Sequence, residues 1–306
     1  MNAESEVIEE SFVLVDGVRV HYRRAGVGAP LLLIHGLVGS SRNWSRNISD
    51  LSRHSAVYAV DLMNMGESER VPGIDASLEA IADRVVAILS ALDIYRADIA
   101  GHSHGGAVAM MVAARHPDRV RKLVLFAPAN PFCNLGKQLI RFYTTGAGSW
   151  LARLVPVLPR FLKLTALGRM YGDPSRITAD ALDGYTDGLA TPGTVEYILR
   201  IVHRWYSDMS VLRGALPGLV EQPVLLIWGD RDRAVGLSSA RELHHCLKQS
   251  ELLVIPGAGH IAFEEVPEIC NRTMIDWLLR PLPEAPSFAM RSAGQRLKRL
   301  EAVDPL

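Results

Sequence analysis

The sequence predicts an α/β fold, a mostly parallel, doubly wound sheet with an inserted helical cap. Three observations predict it. Short apolar runs recur along the chain as "PLLLIHG", "SAVYAVDLM", "ADIAGHS", "VRKLVLFAPA", "PVLLIWGD" and "ELLVIPGAGH". Segments with apolar residues at helical spacing separate them. One long stretch carries no strand-like run. Strand–helix–strand alternation implies parallel strands with helices on both faces.

The elements follow in order. "SFVLVDGVRVHYRRAG" alternates apolar and polar residues on both sides of Asp16-Gly17, which predicts a hairpin with a two-residue turn. "PLLLIHG" is continuously apolar, as a strand buried on both faces must be. Strands are expected again at 55–63, 97–103, 120–129, 223–230 and 251–260. Helices are expected at 77–92, 105–116, 237–248 and 267–280, where apolar residues recur every three to four positions.

Residues 131–216 break the alternation with helical patches divided by Gly and Pro. They hold ten of the chain's twenty aromatic residues. This composition predicts a lid that walls an apolar pocket. Within it, "WLARLVPVLPRFLKLTALGRM" spaces cations among apolar residues, a pattern suited to a membrane surface. Pro156 and Pro159 interrupt that pattern and favour folded cap helices. The expected organisation is a core of 1–130 and 217–282, a cap of 131–216 and a C-terminal extension of 283–306. No internal repeat or low-complexity segment is visible.

Composition excludes several classes. Lys+Arg and Asp+Glu both number 33, so the net charge is zero and no nucleic-acid partner is expected. The first residues, "MNAESEVIEESFVLV", are acidic and lack the pattern of a secretory leader. No apolar run reaches the roughly 18 residues of an integral membrane segment. Cys133, Cys246 and Cys270 are odd in number and far apart, which fits reduced thiols and a cytoplasmic location.

The chemistry is concentrated at residues 99–106. Gly101-His102-Ser103-His104-Gly105 is a G-x-S-x-G motif between an expected strand and an expected helix. A sharp strand-to-helix turn strains its apex residue, and the residues two places away must lack a Cβ. The strain holds Ser103 at the sheet edge, above the helix N-terminus. Serine needs a base. His260 ends the last strand-like run and falls at the same edge. Asp230 and Asp232, just past the preceding strand, can each orient it. The order Ser103…Asp232…His260 is the one that accompanies this strand–turn–helix architecture. The backbone N–H groups of Leu37 and His104 are the expected oxyanion donors. His35 is read as a loop brace and His102 as packed behind the elbow. No metal site is expected, since His244 and His245 are adjacent on a helix and no ligand cluster accompanies them.

These residues resemble the α/β-hydrolase superfamily. The shared marks are "HGLVGSSRNW", "DLMNMGES", "GHSHGG", "WGDRD" and "GAGHIAFEEVPE". The resemblance implies the α/β-hydrolase fold and makes the second aspartate of "WGDRD", Asp232, the acid. The early stretch looks most like the esterase/thioesterase branch, with Met63 and Met65 where that branch carries Arg and His. A serine at the nucleophile position separates the chain from haloalkane dehalogenases and epoxide hydrolases, which use Asp there. Carbon–carbon-bond hydrolases of ring-cleavage products share the triad, often with Asn before the serine and Trp after the histidine. Here those positions hold His102 and Ile261.

The expected function is hydrolysis of an apolar carboxylic ester or thioester through an acyl-enzyme, with no cofactor. The alternatives are a carbon–carbon-bond hydrolase and a slow-turnover small-molecule sensor. Phe132, Phe142, Tyr143, Trp150, Phe161, Trp205 and Tyr206 are the expected pocket residues. Charged substrates such as free amino-acid esters are expected to be poor.

Overall fold

The computed structural model describes residues 7–134 and 136–282; the expected C-terminal extension lies outside them. Strands β1 (Glu9–Val15) and β2 (Val18–Ala25) form the expected hairpin, with Val15 opposite Val18. Asp16 and Gly17 both take positive φ (51° and 79°), as a tight hairpin turn with matching twist requires. Strand β3 (Pro30–Ile34), helix α1 (Ser45–Leu51), strand β4 (Ala56–Val60), helix α2 (Leu78–Ala91), strand β5 (Ala97–His102), helix α3 (His104–Arg115) and strand β6 (Val120–Phe126) follow. Helices α4 (Lys137–Tyr143), α5 (Gly146–Ala152), α6 (Arg160–Gly168), α7 (Ala179–Ala190) and α8 (Thr194–Ala215) come next, with no strand among the described residues. Strand β7 (Val224–Gly229), helix α9 (Leu237–Cys246), strand β8 (Ser250–Ile255) and helices α10 (Ala262–Glu265) and α11 (Pro267–Leu278) complete the described residues.

The eight strands form one sheet in the order β1-β2-β4-β3-β5-β6-β7-β8. The hairpin and the β2–β4 pairing are antiparallel, and β4 through β8 are mutually parallel. Strands β3, β4 and β7 carry no charged residue because both faces are covered, while β5 and β6 admit the paired Asp98 and Arg121. Leu32 and Ile34 enter one core with α2, α3 and α9. Leu31 and Leu33 enter the other with α1 and α11.

Three strands are shorter than the sequence patterns suggest. Strand β4 stops at Val60 because the next carboxylate, Asp61, collects the N–H groups of Ser41 and Glu67 and bends the chain. After β6, Ala127 takes φ 38°, and the Ala129 N–H donates to the Ser103 carbonyl rather than to a ladder. After β8, Gly257 turns at φ 76°. Helix α1 carries no clean apolar stripe. Its Asn47 is buried instead, donating to the Phe263 carbonyl and the Asn271 side chain. Among the described residues no helix is long and apolar enough to cross a membrane.

Candidate active site

The turn from β5 into α3 holds Ser103 at φ 51°, ψ −118°, outside the regions open to an unstrained L-residue. The glycines around it are steric necessities. A Cβ on Gly101 would stand 2.4 Å from the Gly105 carbonyl oxygen, and one on Gly105 would stand 2.3 Å from the His35 oxygen. The strained residue is pinned by its own backbone. Its N–H donates to Phe126 (3.0 Å) and its carbonyl accepts from Ala129 (2.8 Å). The N-terminal end of α3 lies directly beneath, and its dipole favours negative charge there.

His260 and Asp232 arrive on the loops after β8 and β7. His260 Nδ1 stands 2.8 Å from Asp232 Oδ2. The other carboxylate oxygen accepts the N–H groups of Ala234 (2.7 Å) and Val235 (2.9 Å), which fixes the Asp232 rotamer. A carboxylate only accepts, so Nδ1 carries the proton and Nε2 is left basic. Asp230 points elsewhere and takes the Gly257 N–H at 2.7 Å.

The loop after β3 approaches from the opposite side. A Cβ on Gly36 would lie 2.9 Å from His102 Nδ1 and 3.5 Å from Ser103 Cβ, so only glycine lets this loop close on the elbow. Among the described residues the backbone N–H groups of Leu37 and His104 have no protein acceptor. His35 braces the loop: Nδ1–H donates to the Gly36 carbonyl (2.7 Å) and Nε2 accepts the Leu62 N–H (3.1 Å).

The flanking histidines are neutral. Burial, reinforced by the neighbouring His260, pushes His102 well below the usual histidine range. Its Nε2–H donates to the His260 carbonyl at 3.2 Å, and its ring lies against Phe263. Burial lowers His104 to about 4. Its Nδ1 is buried without a partner among the described residues, and its ring faces Trp205 at 6.2 Å.

Ser103 and His260 open on one cavity of about 840 Å³ between the sheet edge and the helical insertion. Tyr143, Trp205 and Tyr206 line it. Four expected pocket aromatics do not. Phe142, Trp150 and Phe161 are exposed on the outside of the insertion, and Phe132 sits under the Arg213 guanidinium. Aromatic content marked the segment, but not which face each ring takes. Among the described residues the charged members of the lining are Lys137, Lys163, Arg213 and Arg233, with no carboxylate.

Sequence reasoning missed a clasp between the insertion and the His260 loop. Buried Glu264 accepts the hydroxyls of Tyr171 (3.0 Å) and Tyr185 (2.7 Å). Burial lifts its carboxyl to about 7, against the pull of those hydrogen bonds. Glu265 takes the N–H groups of Gly172, Asp173 and Gly259. The His260 N–H itself donates to the Met170 carbonyl at 2.6 Å. The available signal was two adjacent carboxylates in the otherwise apolar "HIAFEEV". Among the described residues no group of His, Cys, Asp or Glu is placed to hold a metal ion.

Comparison with known proteins agrees with the fold. The family model of the alpha/beta hydrolase fold matches residues 29–267. The dihydrolipoyllysine-residue acetyltransferase component of the acetoin cleaving system of Pseudomonas putida is 32% identical over 82% of this chain. The match spans 64% of that relative, less than two thirds of its length. The 2-hydroxymuconate semialdehyde hydrolase of Pseudomonas sp. CF600 is 27% identical over 81% of this chain and 86% of its own. Among solved structures, the meta-cleavage product hydrolase CumD of Pseudomonas fluorescens IP01 superposes with a TM-score of 0.75 at 25% identity, covering 88% of this chain and 97% of that one.

Proposed function

The chain belongs to the alpha/beta hydrolase fold family, and from that premise we propose a serine hydrolase that cleaves an apolar carboxylic ester or thioester through an acyl-enzyme. One observation carries the reading: Ser103, strained at its elbow, shares the wall of a large apolar cavity with His260, whose far nitrogen is held by Asp232. Ser103 Oγ attacks the carbonyl carbon while His260 Nε2 takes its proton. The oxyanion that forms accepts from the Leu37 and His104 N–H groups. Collapse expels the alcohol or thiol, protonated by His260, and leaves the acyl group on Ser103. Water, activated by the same nitrogen, then releases the acid and restores the serine. Asp232 stabilises the imidazolium in both halves. The helical insertion acts as the cap, with its cavity holding the apolar part of the substrate.

The likeness to hydrolases named for 2-hydroxymuconate semialdehyde and for meta-cleavage products favours a second reading, a carbon–carbon-bond hydrolase. One set of assays separates the readings. p-Nitrophenyl esters of graded length should turn over many times, and a fluorophosphonate should add covalently to Ser103 and abolish turnover. Rapid loss of a ring-cleavage dienoate chromophore with idle esters would favour the second reading. Stoichiometric binding with neither turnover would mark a sensor.

A further inference from the structure

The first half of the insertion has a composition unlike the rest of the chain. Residues 131–172 contain six Lys or Arg and no Asp or Glu, in a protein whose total charge is zero. Of the twenty large apolar side chains exposed among the described residues, nine fall between Leu139 and Leu164. Leu139, Leu158 and Leu162 also line the cavity. The other six, Phe142, Trp150, Leu151, Val157, Phe161 and Leu164, lie outside it, with Val157, Phe161 and Trp150 at 77%, 66% and 61% exposure. They are carried by α4, α5, the turn at Val155–Val157 and α6, consecutive short elements of which α4 packs on α5.

Among the described residues, half of the six cations on this stretch are engaged within the fold and half are not. Arg153 pairs with Glu196 and Arg160 with Asp183 on the neighbouring helices, and Lys163 donates to the Pro156 carbonyl. Lys137, Arg141 and Arg169 have no carboxylate partner among the described residues. Exposed Trp, Phe and Leu interleaved with Lys and Arg, half of them without a carboxylate partner or other side-chain bond among the described residues, suit the boundary between lipid headgroups and acyl chains. A solvated surface gains nothing from this arrangement, because water opposes the exposure of contiguous apolar groups.

We propose that this face of the insertion docks on a lipid surface rich in anionic headgroups. The apolar side chains enter the headgroup boundary and the cations meet the lipid charge. The same elements wall the cavity, through Leu139, Tyr143, Leu158 and Leu162. An apolar substrate can therefore pass between the lipid and Ser103 without crossing bulk water. Binding is a property of the surface and is read separately from the hydrolytic reaction.

The test is sedimentation of the full chain with vesicles of phosphatidylcholine alone and with phosphatidylglycerol added. Binding to the anionic vesicles should be at least about tenfold tighter and should fall as salt is raised. The Val157→Glu/Leu164→Glu and Arg141→Glu/Arg169→Glu variants alter exposed positions. Both should lose at least about tenfold of that binding while keeping the wild-type circular dichroism and turnover of a water-soluble short ester. Failure of the wild type to sediment with either vesicle, or unaltered binding by both folded variants, overturns the proposal. So does a wild-type dimer that Val157→Glu/Leu164→Glu dissociates, since the face would then be covered by a second copy.

Discussion

His260 Nδ1 lies 2.8 Å from Asp232 Oδ2, while Asp230, two residues earlier, is committed to the Gly257 N–H. Two carboxylates that the sequence offers as near equivalents therefore have separate tasks. Asp232→Asn should lower kcat by about 10⁴-fold, because an amide no longer enforces the Nδ1–H tautomer. Asp230→Asn should change it by less than about fivefold, acting only through the Gly257 turn. Ser103→Ala and His260→Ala should each cost on the order of 10⁴–10⁶, and the double variant little more, because the residues act as a unit. Steady-state kinetics on a chromogenic ester, with melting temperatures to confirm folding, measure all five. A severe Asp230→Asn with a mild Asp232→Asn would reverse the assignment.

The elbow supplies a second test. Gly101→Ala places a methyl 2.4 Å from the Gly105 carbonyl, against backbone that has no rotamer to change. Relief requires α3 to move relative to β5, at a cost of about 1–3 kcal/mol in stability. The same movement displaces Ser103 and the His104 N–H, so kcat should fall at least about 100-fold even where the variant folds. Chemical denaturation and kinetics on the same sample check both. Unchanged stability and turnover would show that the turn tolerates a side chain.

These two tests mark what the sequence could and could not show. The central strands were legible because burial on both faces demands uninterrupted apolar runs such as Leu31 to Ile34, and the glycines because the elbow has no room for a Cβ. Residues 131–216 were legible as helical but not as a pocket map. Trp150 and Tyr143 are both aromatic on short helices, and only tertiary packing sends one outward and the other to the cavity. The Glu264–Glu265 clasp was hidden because its partners, Tyr171, Tyr185 and Gly172, lie about eighty to ninety residues away in sequence. Local pattern carries no information about contacts of that separation.

That clasp sets a pH dependence. Burial raises the Glu264 carboxyl from 4.5 to about 7 in the folded protein. Folding therefore favours the protonated form. The associated stability is fully present below about pH 4.5 and is lost as pH rises through about 7. The loss is on the order of 3 kcal/mol. Glu264→Gln keeps the shape and cannot ionise, so the difference in unfolding free energy between variant and wild type should grow in the variant's favour from pH 5 to pH 8. Urea denaturation across that range measures it. A difference that stays constant with pH would show that Glu264 keeps the same ionisation in both states.

The cavity makes the last prediction. Its lining is mainly apolar, with some polar groups and four cations, Lys137, Lys163, Arg213 and Arg233, and no carboxylate among the described residues. Each methylene withdrawn from water into such a space gains about 0.8 kcal/mol, or up to about fourfold in kcat/KM when the gain is realised in the transition state. Specificity should therefore climb from acetyl through medium-chain p-nitrophenyl esters and fall once the chain outgrows the roughly 840 Å³ available. The charge of the lining adds a sign. A cationic ester meets only like charge, so a free amino-acid ester should be slower than its neutral isostere, while an anionic ester of equal length should lose less. Three matched series, neutral, cationic and anionic, separate the two effects. A flat profile with chain length would remove the apolar cavity from substrate recognition. A preference for the cationic series would show that substrate approaches Ser103 by a path that avoids these four side chains.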